Sequence, residues 1–241
     1  MNSLDHDIEV DQLRRPISSS RAWIMFRSGN RLNLLDPAPN AWTDADLATG
    51  LSRTYRWGGH SCWDLPLSVA QHSLSVLAIR KLLAPSPLSP GEALRELLHD
   101  GTEALIGGFD PITPLKPHLG EGYLQINRRL QAALNQRYDL PPWTVASHQL
   151  HKHSDHLAAA SEALHVVGWR KAALRRDLGI TLTPLDRDPL TIPPGMAPWE
   201  PWPAHLAAER FEEALRDLLR ARREMSQPAD DLEYDQSEAA E

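Results

Sequence analysis

Apolar residues recur at helical spacing along most of the chain and alternate with polar residues only near its beginning. An apolar run at 23–26, a glycine turn at 28–30 and a second, alternating run through Leu35 predict a small β-hairpin. Near the other end, one apolar stripe predicts an amphipathic helix over about 204–224, formed by Ala207, Phe211, Ala214, Leu215, Leu218 and Leu219. The pattern therefore predicts an all-α domain with a small N-terminal β-hairpin.

Capping residues mark the starts of the helices between these two segments. A Ser or Thr followed three residues later by Asp, Gln or Glu is typical of a capping box, and the chain has three such pairs: Thr43 with Asp46, Ser68 with Gln71, and Ser89 with Glu92. The first two open helices through about 52 and 83, and the third opens a helix that ends at the glycine pair 107–108. Two further helices are predicted over about 122–138 and 143–175.

The other segments lack helical periodicity. Residues 1–20 predict a flexible arm, and residues 53–67, which contain adjacent glycines, predict a loop. The stretch 181–203 contains seven prolines and predicts an extended strap. From residue 227 onward the chain is acidic and poor in apolar residues, which predicts a disordered tail. We therefore expect a single domain over 21–226 between two tails.

The composition narrows the class of protein. The chain has 241 residues, of which 41% are hydrophobic and 24% are charged, as is typical of a globular protein. A net charge of −7 disfavours nucleic acid as a partner, so an anionic ligand would need local cations. The single cysteine, Cys62, excludes an internal disulfide. Because no apolar run could form a leader or span a membrane, we expect a soluble cytoplasmic protein without a membrane partner.

Two histidines and two aspartates on predicted helices form the main candidate site. His72, the adjacent His99 and Asp100, and Asp155 offer imidazole and carboxylate ligands, a mixture that suits one divalent ion such as Mn, Co, Zn, Fe, Ni or Mg. Adjacent residues on a helix point about 100° apart, so His99 and Asp100 could share an ion only if it lay between their directions. The apolar residues around this pair indicate a buried helix, where an aspartate needs a partner. A bound metal indicates hydrolysis, and phosphate esters are the favoured substrates.

Glu103 follows the same pair by one helical turn and faces the same side of the helix. It is a candidate general base, and the alternative is a solvated surface glutamate. His151 precedes Asp155 by one turn, so it could face the same ion or support the ligands from outside. We favour the supporting role for His151.

Five segments carry a family resemblance: LSRTYRW at 51–57, LSVAQHS at 67–73, LLHDGTEA at 97–104, PLK at 114–116 and KHSD at 152–155. In order and spacing they resemble the HD-domain metal phosphohydrolases, and most closely their 5′-deoxynucleotidase-like branch. The resemblance spans about 23–162 and implies an all-α HD-domain helical bundle. It also implies roles for five residues: His72, His99, Asp100 and Asp155 as metal ligands, and Glu103 as the residue that activates or positions the attacking water.

The resemblance further implies a substrate site. Arg56 matches an arginine that contacts the substrate phosphate, and Lys116 is placed near that phosphate. Trp57 could stack on a nucleobase. The loop 107–116 is two residues longer than the family pattern Gly-Asp-aliphatic-Pro-x-Pro-x-Lys, and Asp110 is the candidate for its aspartate. Recognition of sugar and base is therefore open.

The leading hypothesis is a metal-dependent phosphohydrolase of small nucleotides, most specifically a nucleoside 5′-monophosphatase that releases nucleoside and phosphate. A deoxynucleoside triphosphate triphosphohydrolase is the alternative, and it would need further cations, for which Arg53, Arg128 and Arg129 are candidates. A non-catalytic HD module that binds nucleotide is a third possibility, against which the complete ligand set and Glu103 argue. A homodimer is a candidate assembly.

Overall fold

The computed structural model describes residues 21–112 and 114–226, so the predicted arm (1–20) and acidic tail (227–241) lie outside the described residues. Within these ranges the chain forms eight α-helices and one two-stranded antiparallel sheet, which confirms the all-α class with a small N-terminal hairpin. The helices are α1 (Asp44–Arg53), α2 (Val69–Leu83), α3 (Pro90–Leu97), α4 (Gly101–Leu105), α5 (Gly120–Tyr138), α6 (Val145–His165), α7 (Lys171–Leu178) and α8 (Ala204–Ser226). None of these helices combines the length and apolar content needed to cross a membrane.

The hairpin pairs β1 (Trp23–Met25) with β2 (Arg31–Asn33). Ile24 lies opposite Leu32, and Leu32 is fully buried in the main hydrophobic core. Gly29 has a φ of 87° in the connecting turn, a conformation that glycine adopts without a steric penalty. The predicted β-hairpin is therefore confirmed, and the structure shows that its Leu32 side packs on the helices.

Two of the three predicted capping boxes are complete. Thr43 and Asp46 cap α1 reciprocally, and Ser89 and Glu92 do the same for α3. At α2 the Ser68 hydroxyl accepts from the backbone N–H of Gln71, but the Gln71 side chain points elsewhere. Its amide donates to the carbonyl of residue 200 and accepts from the backbone N–H of residue 202. Gln71 therefore ties the proline-rich strap to α2.

The prediction of one helix from Ser89 to the glycine pair at 107–108 was wrong, because the chain leaves the helical conformation between α3 and α4. Leu98 has φ −97° and ψ 10°, and Asp100 has φ −103° and ψ 15°. The backbone N–H of Gly101 donates to the carbonyl of Leu98, three residues back, so the helical pattern is interrupted there. The break falls on the His99–Asp100 pair.

The prediction of one helix over 143–175 was also wrong. α6 ends at His165, and the chain turns through Gly168, which has a φ of 83°, before α7 begins at Lys171. The strap at 181–203 contains no helix or strand, as predicted. It is anchored by two buried tryptophans, and the Trp199 ring stacks on His165 with a centroid separation of 4.7 Å.

A close approach of two helices fixes the position of α4. A Cβ atom at Gly50 on α1 would lie only 2.7 Å from the Cβ of Ala104, so a larger residue would force the helices apart. Ala104 immediately follows Glu103. The main core around this contact is formed by buried side chains from the hairpin and from α1 to α5, and it is closed by Ala207, Phe211 and Leu215 of α8.

Candidate metal and phosphate site

Residues from α2, α6 and the α3–α4 link bring the four predicted ligands together. The Nε2 atom of His72 lies 3.5 Å from Oδ2 of Asp100 and 3.4 Å from Oδ1 of Asp155. His99 approaches from the other side, with its Nε2 3.2 Å from the same Asp100 oxygen. Ligand atoms of His72, His99 and Asp100 all lie within 4.8 Å of one another. This group could hold a metal ion, and Asp155 lies beside it.

The break between α3 and α4 makes this convergence possible. On a continuous helix, His99 and Asp100 would point about 100° apart. In the non-helical link, Nδ1 of His99 donates to the carbonyl of Glu96 at 2.8 Å, which turns Nε2 towards Asp100. The interruption between α3 and α4, which made the helix prediction wrong, thus orients the side chains of His99 and Asp100 towards the same ligand group.

The hydrogen bonds of the two imidazoles suit a divalent cation. Nδ1 of His72 lies 2.5 Å from a carboxylate oxygen of Glu162, and Nδ1 of His99 donates to a backbone carbonyl. Both Nε2 atoms are buried and have no hydrogen-bond partner among the described residues. Because each Nδ1–H group donates to an acceptor, the lone pair on each Nε2 is available to bind a metal. Without a metal, two buried nitrogens that lack a hydrogen-bond partner would cost folding free energy. The residues present therefore fit a metal ion.

Glu103 lies at the edge of the ligand group and is 4% exposed. Its Oε1 is 3.6 Å from Nζ of Lys116, and its Oε2 is buried and has no hydrogen-bond partner within residues 21–112 and 114–226. Burial, together with the negative charges of Asp100 and Asp110, raises the pKa of Glu103 to about 10. Without a metal, Glu103 is therefore protonated at neutral pH. A nearby dication would favour its ionised form.

Metal binding is expected to release one to two protons at neutral pH. Burial and Arg56 lower the pKa of His72, but Glu162 and Asp155 outweigh them and raise it to about 10. Because a ligand imidazole must be neutral, His72 has to lose its proton, and Glu103 should lose part of a second. Mn²⁺ affinity should therefore rise at least about tenfold per pH unit between pH 6 and 8.

Calorimetric titration with Mn²⁺ in buffers of different ionisation heats counts these protons. Glu103→Gln should lower the count, because the contribution of Glu103 is then lost. Mn²⁺ binding without any dependence on the buffer would contradict the release of a proton from His72 on metal binding.

Arg56 lies in the 3-10 turn Arg56–Gly59 and contacts three carboxylates. Its Nη1 lies 3.4 Å from Asp110 and 3.9 Å from Asp100, and its Nε lies 3.5 Å from Glu162. Burial lowers the pKa of the guanidinium, but these carboxylates raise it above its usual value. Arg56 therefore remains charged, and the cluster includes Asp110, whose side chain is 4% exposed.

Lys116 begins a second 3-10 turn, Lys116–Leu119, and its side chain is 35% exposed. Burial alone would lower the pKa of its ammonium group, but Asp100 and Glu103 outweigh this effect, so the pKa is raised. Arg53, in contrast, is exposed and makes no ion pair with another described residue. The structure thus brings Arg56 and Lys116 to the ligand group, but not Arg53.

Trp57 and His151 both lie next to the cluster, in supporting positions. The indole N–H of Trp57 donates to Glu162 at 3.1 Å, which fixes the ring beside Arg56. Nδ1 of His151 lies 2.8 Å from a carboxylate oxygen of Glu96, and its ring is 5.0 Å from that of His99. Glu96 therefore contacts both histidines, His151 through its carboxylate and His99 through its backbone carbonyl. This arrangement agrees with a supporting role for His151.

Two buried glutamates were missed in the sequence. Glu162 and Glu96 are 2% and 0% exposed; the Glu162 carboxylate contacts His72, and the Glu96 carboxylate contacts His151. Glu162 lies seven residues after Asp155, a spacing that places both on one face of α6. The sequence did contain a signal for Glu162: it shares a helix face with Asp155 and lies in an alanine-rich stretch, which favours close packing.

The chain is 39% identical to an uncharacterized protein of Rhodobacter capsulatus over 162 residues, which cover 66% of this chain and 80% of that relative. At this identity and coverage, the chain belongs to the same protein family as the Rhodobacter protein. No protein-family model matches the chain.

Proposed function

We propose that this chain is a metal-dependent phosphohydrolase of the HD-domain type that acts on small nucleotides, most specifically a nucleoside 5′-monophosphatase. The observation that carries the proposal is the meeting of two unpartnered imidazole nitrogens with Asp100, beside Glu103 and the cations Arg56 and Lys116. A metal-ligand group, a buried carboxylate and two cations are the components that phosphate-ester hydrolysis requires.

The charge of the cluster supports a reaction that depends on a cation. Five carboxylates surround Arg56 and Lys116: Asp100, Glu103, Asp110, Asp155 and Glu162. Such a cluster would repel a phosphate group unless a dication offset part of its charge. His72, His99, Asp100 and Asp155 would hold that ion, which would polarise a phosphoryl oxygen and lower the pKa of water.

The remaining steps fall to side chains of this chain. Glu103 would accept a proton from the attacking water through its unpartnered Oε2. Arg56 and Lys116 would bind the phosphate oxygens and stabilise the charge of the transition state. The P–O bond to the 5′-oxygen would then break, and the leaving oxygen would take up a proton. Asp110 would hold the Arg56 guanidinium in place.

Arg56→Lys and Lys116→Ala should each lower kcat/KM by at least tenfold, or about 1.4 kcal/mol of transition-state stabilisation. Lysine lacks the planar guanidinium group. Through this group Arg56 contacts Asp110 and Glu162 and could still donate N–H groups to a phosphate. Steady-state kinetics on the best nucleotide measures both effects.

Two exposed cations provide matched controls. Arg216→Lys, within an exposed pair on α8, and Lys171→Ala, at the start of α7, should leave kcat/KM unchanged. If neither site variant loses tenfold, the phosphate site lies elsewhere.

The direct test is a phosphate-release screen. Nucleoside mono-, di- and triphosphates are each offered with Mn²⁺, Co²⁺, Mg²⁺ or Zn²⁺, and both phosphate and triphosphate are assayed. Release of phosphate from monophosphates supports the proposal, and release of triphosphate points to the triphosphohydrolase. Binding of metal and nucleotide without turnover would identify a non-catalytic module.

A further inference from the structure

One buried carboxylate bonds to both halves of the site. Glu162 lies on α6 two helical turns after Asp155 and is 2% exposed. On one side it faces the metal-ligand group, and on the other it faces the turn that carries Arg56 and Trp57. It is not one of the four predicted ligands.

The two oxygens of Glu162 serve the two sides separately. Oε1 accepts from Nδ1 of His72 at 2.5 Å, so it holds the imidazole with Nε2 towards Asp100 and Asp155. Oε2 accepts from the indole N–H of Trp57 at 3.1 Å and lies 3.5 Å from Nε of Arg56. A small rotation of this one carboxylate would disturb both sides together.

The turn that Oε2 holds has a strained backbone. Trp57 has a φ of 57° and a ψ of 29°, and the next two residues, Gly58 and Gly59, also have positive φ. Glycine adopts this conformation readily, but a tryptophan does so only where its surroundings enforce it. The hydrogen bond from the Trp57 indole to Glu162 ties the side chain of this strained residue to α6.

We infer that Glu162 is a positioning residue that couples the metal site to the Arg56–Trp57 turn, so that metal binding and phosphate binding strengthen each other through it. The inference rests on the proposed function. A cation that replaced the Nε2 proton of His72 would hold the imidazole in one orientation while Nδ1–H remained the donor to Glu162, and it would thereby fix the Glu162 carboxylate. The fixed Oε2 then holds Trp57 and Arg56 in the geometry that meets a phosphate. Coupling of this kind is reciprocal between the two ligands.

The test measures Mn²⁺ affinity by calorimetry with and without inorganic phosphate, so it does not require turnover. Glu162→Gln should weaken Mn²⁺ binding about 10–100-fold, as the loss of an outer partner of a metal ligand does. Trp57→Phe removes the N–H donor and keeps a smaller aromatic ring on the far side of Glu162 from the metal-ligand group, so Mn²⁺ affinity without phosphate should stay within about threefold of the wild type. Phosphate should raise the Mn²⁺ affinity of the wild type about 5–150-fold, and this factor should fall at least threefold in Trp57→Phe.

Trp63→Phe is the matched control, because the indole N–H of Trp63 donates to the carbonyl of His165, away from Glu162. It should keep the wild-type coupling. Circular dichroism checks the fold of each variant, and if Glu162→Gln does not fold, Trp57→Phe decides alone.

Coupling that survives in Trp57→Phe would come from direct contact between phosphate and cation. That result would overturn the role of Glu162 and leave the metal-dependent function intact. A wild-type protein that bound no Mn²⁺ would overturn both.

Discussion

Glu103→Gln is expected to lower kcat by about 10²–10⁴-fold, the usual contribution of general acid–base catalysis, without a loss of bound metal. Glutamine keeps the shape of the side chain but cannot accept a proton from water. Glu103 faces Lys116 at 3.6 Å and is not part of the group formed by His72, His99 and Asp100. Steady-state kinetics and elemental analysis of the same sample measure the two quantities together.

Asp100→Ala is the informative comparison, because it should lose both the metal and the activity. Its Oδ2 lies 3.2 Å from Nε2 of His99 and 3.5 Å from Nε2 of His72, so its removal opens the ligand group. Asp36→Ala, at an exposed aspartate, should change neither quantity. Full metal content in Asp100→Ala would refute the ligand assignment, and an undiminished kcat in Glu103→Gln would make Glu103 a bystander.

The fold was predictable where local signals decide the structure. The capping box at Thr43 predicted the start of α1, and the alternating residues up to Leu35 predicted the hairpin, since caps and periodicity act within a few residues. The two helix breaks were not predictable in this way. The periodicity of apolar residues in 97–104 predicts a continuous helix. The interruption at His99 is accompanied by a hydrogen bond from its side chain to the backbone carbonyl of Glu96, which periodicity does not reveal.

The candidate ligands that the structure brings together could be named from the sequence, but the residues that support them could not. His72, His99, Asp100 and Asp155 could be proposed because their residue types suit a metal and because they lie in family-like segments. The partner of an imidazole, however, is set by tertiary contacts. The hydrogen bond from His72 to Glu162 joins residues 90 positions apart, and no local pattern links such a pair.

A buried ion pair links the helices that carry or adjoin the candidate metal ligands, and its disruption should be costly. Glu96 is 0% exposed, lies 3.2 Å from Nε of Arg80 and contacts Nδ1 of His151 at 2.8 Å. The three residues join α2, α3 and α6, the elements that carry or adjoin the metal ligands. Burial lowers the pKa of His151 despite the opposing effect of Glu96, so its charged form is disfavoured and Arg80 is the permanent cation of this group.

Glu96→Leu should therefore lower the free energy of unfolding by about 3–5 kcal/mol, because the Arg80 charge would remain buried without a partner. Urea unfolding in the presence of a chelator measures this change without the stabilising effect of bound metal. On the surface of α8, Glu212→Leu breaks the pair with Arg216 and should lower the free energy of unfolding by at most about 1 kcal/mol.

The double variant Arg80→Met/Glu96→Leu tests the cause of the loss. If the loss in Glu96→Leu comes from an isolated charge, the removal of that charge should restore part of the stability, and the double variant should be more stable than Glu96→Leu alone. The Nε–Oε1 contact lacks the alignment of a hydrogen bond, so the attraction between Arg80 and Glu96 is chiefly Coulombic. Additive losses in the double variant would instead show that each side chain stabilises the domain by its own packing, independently of the charge pair.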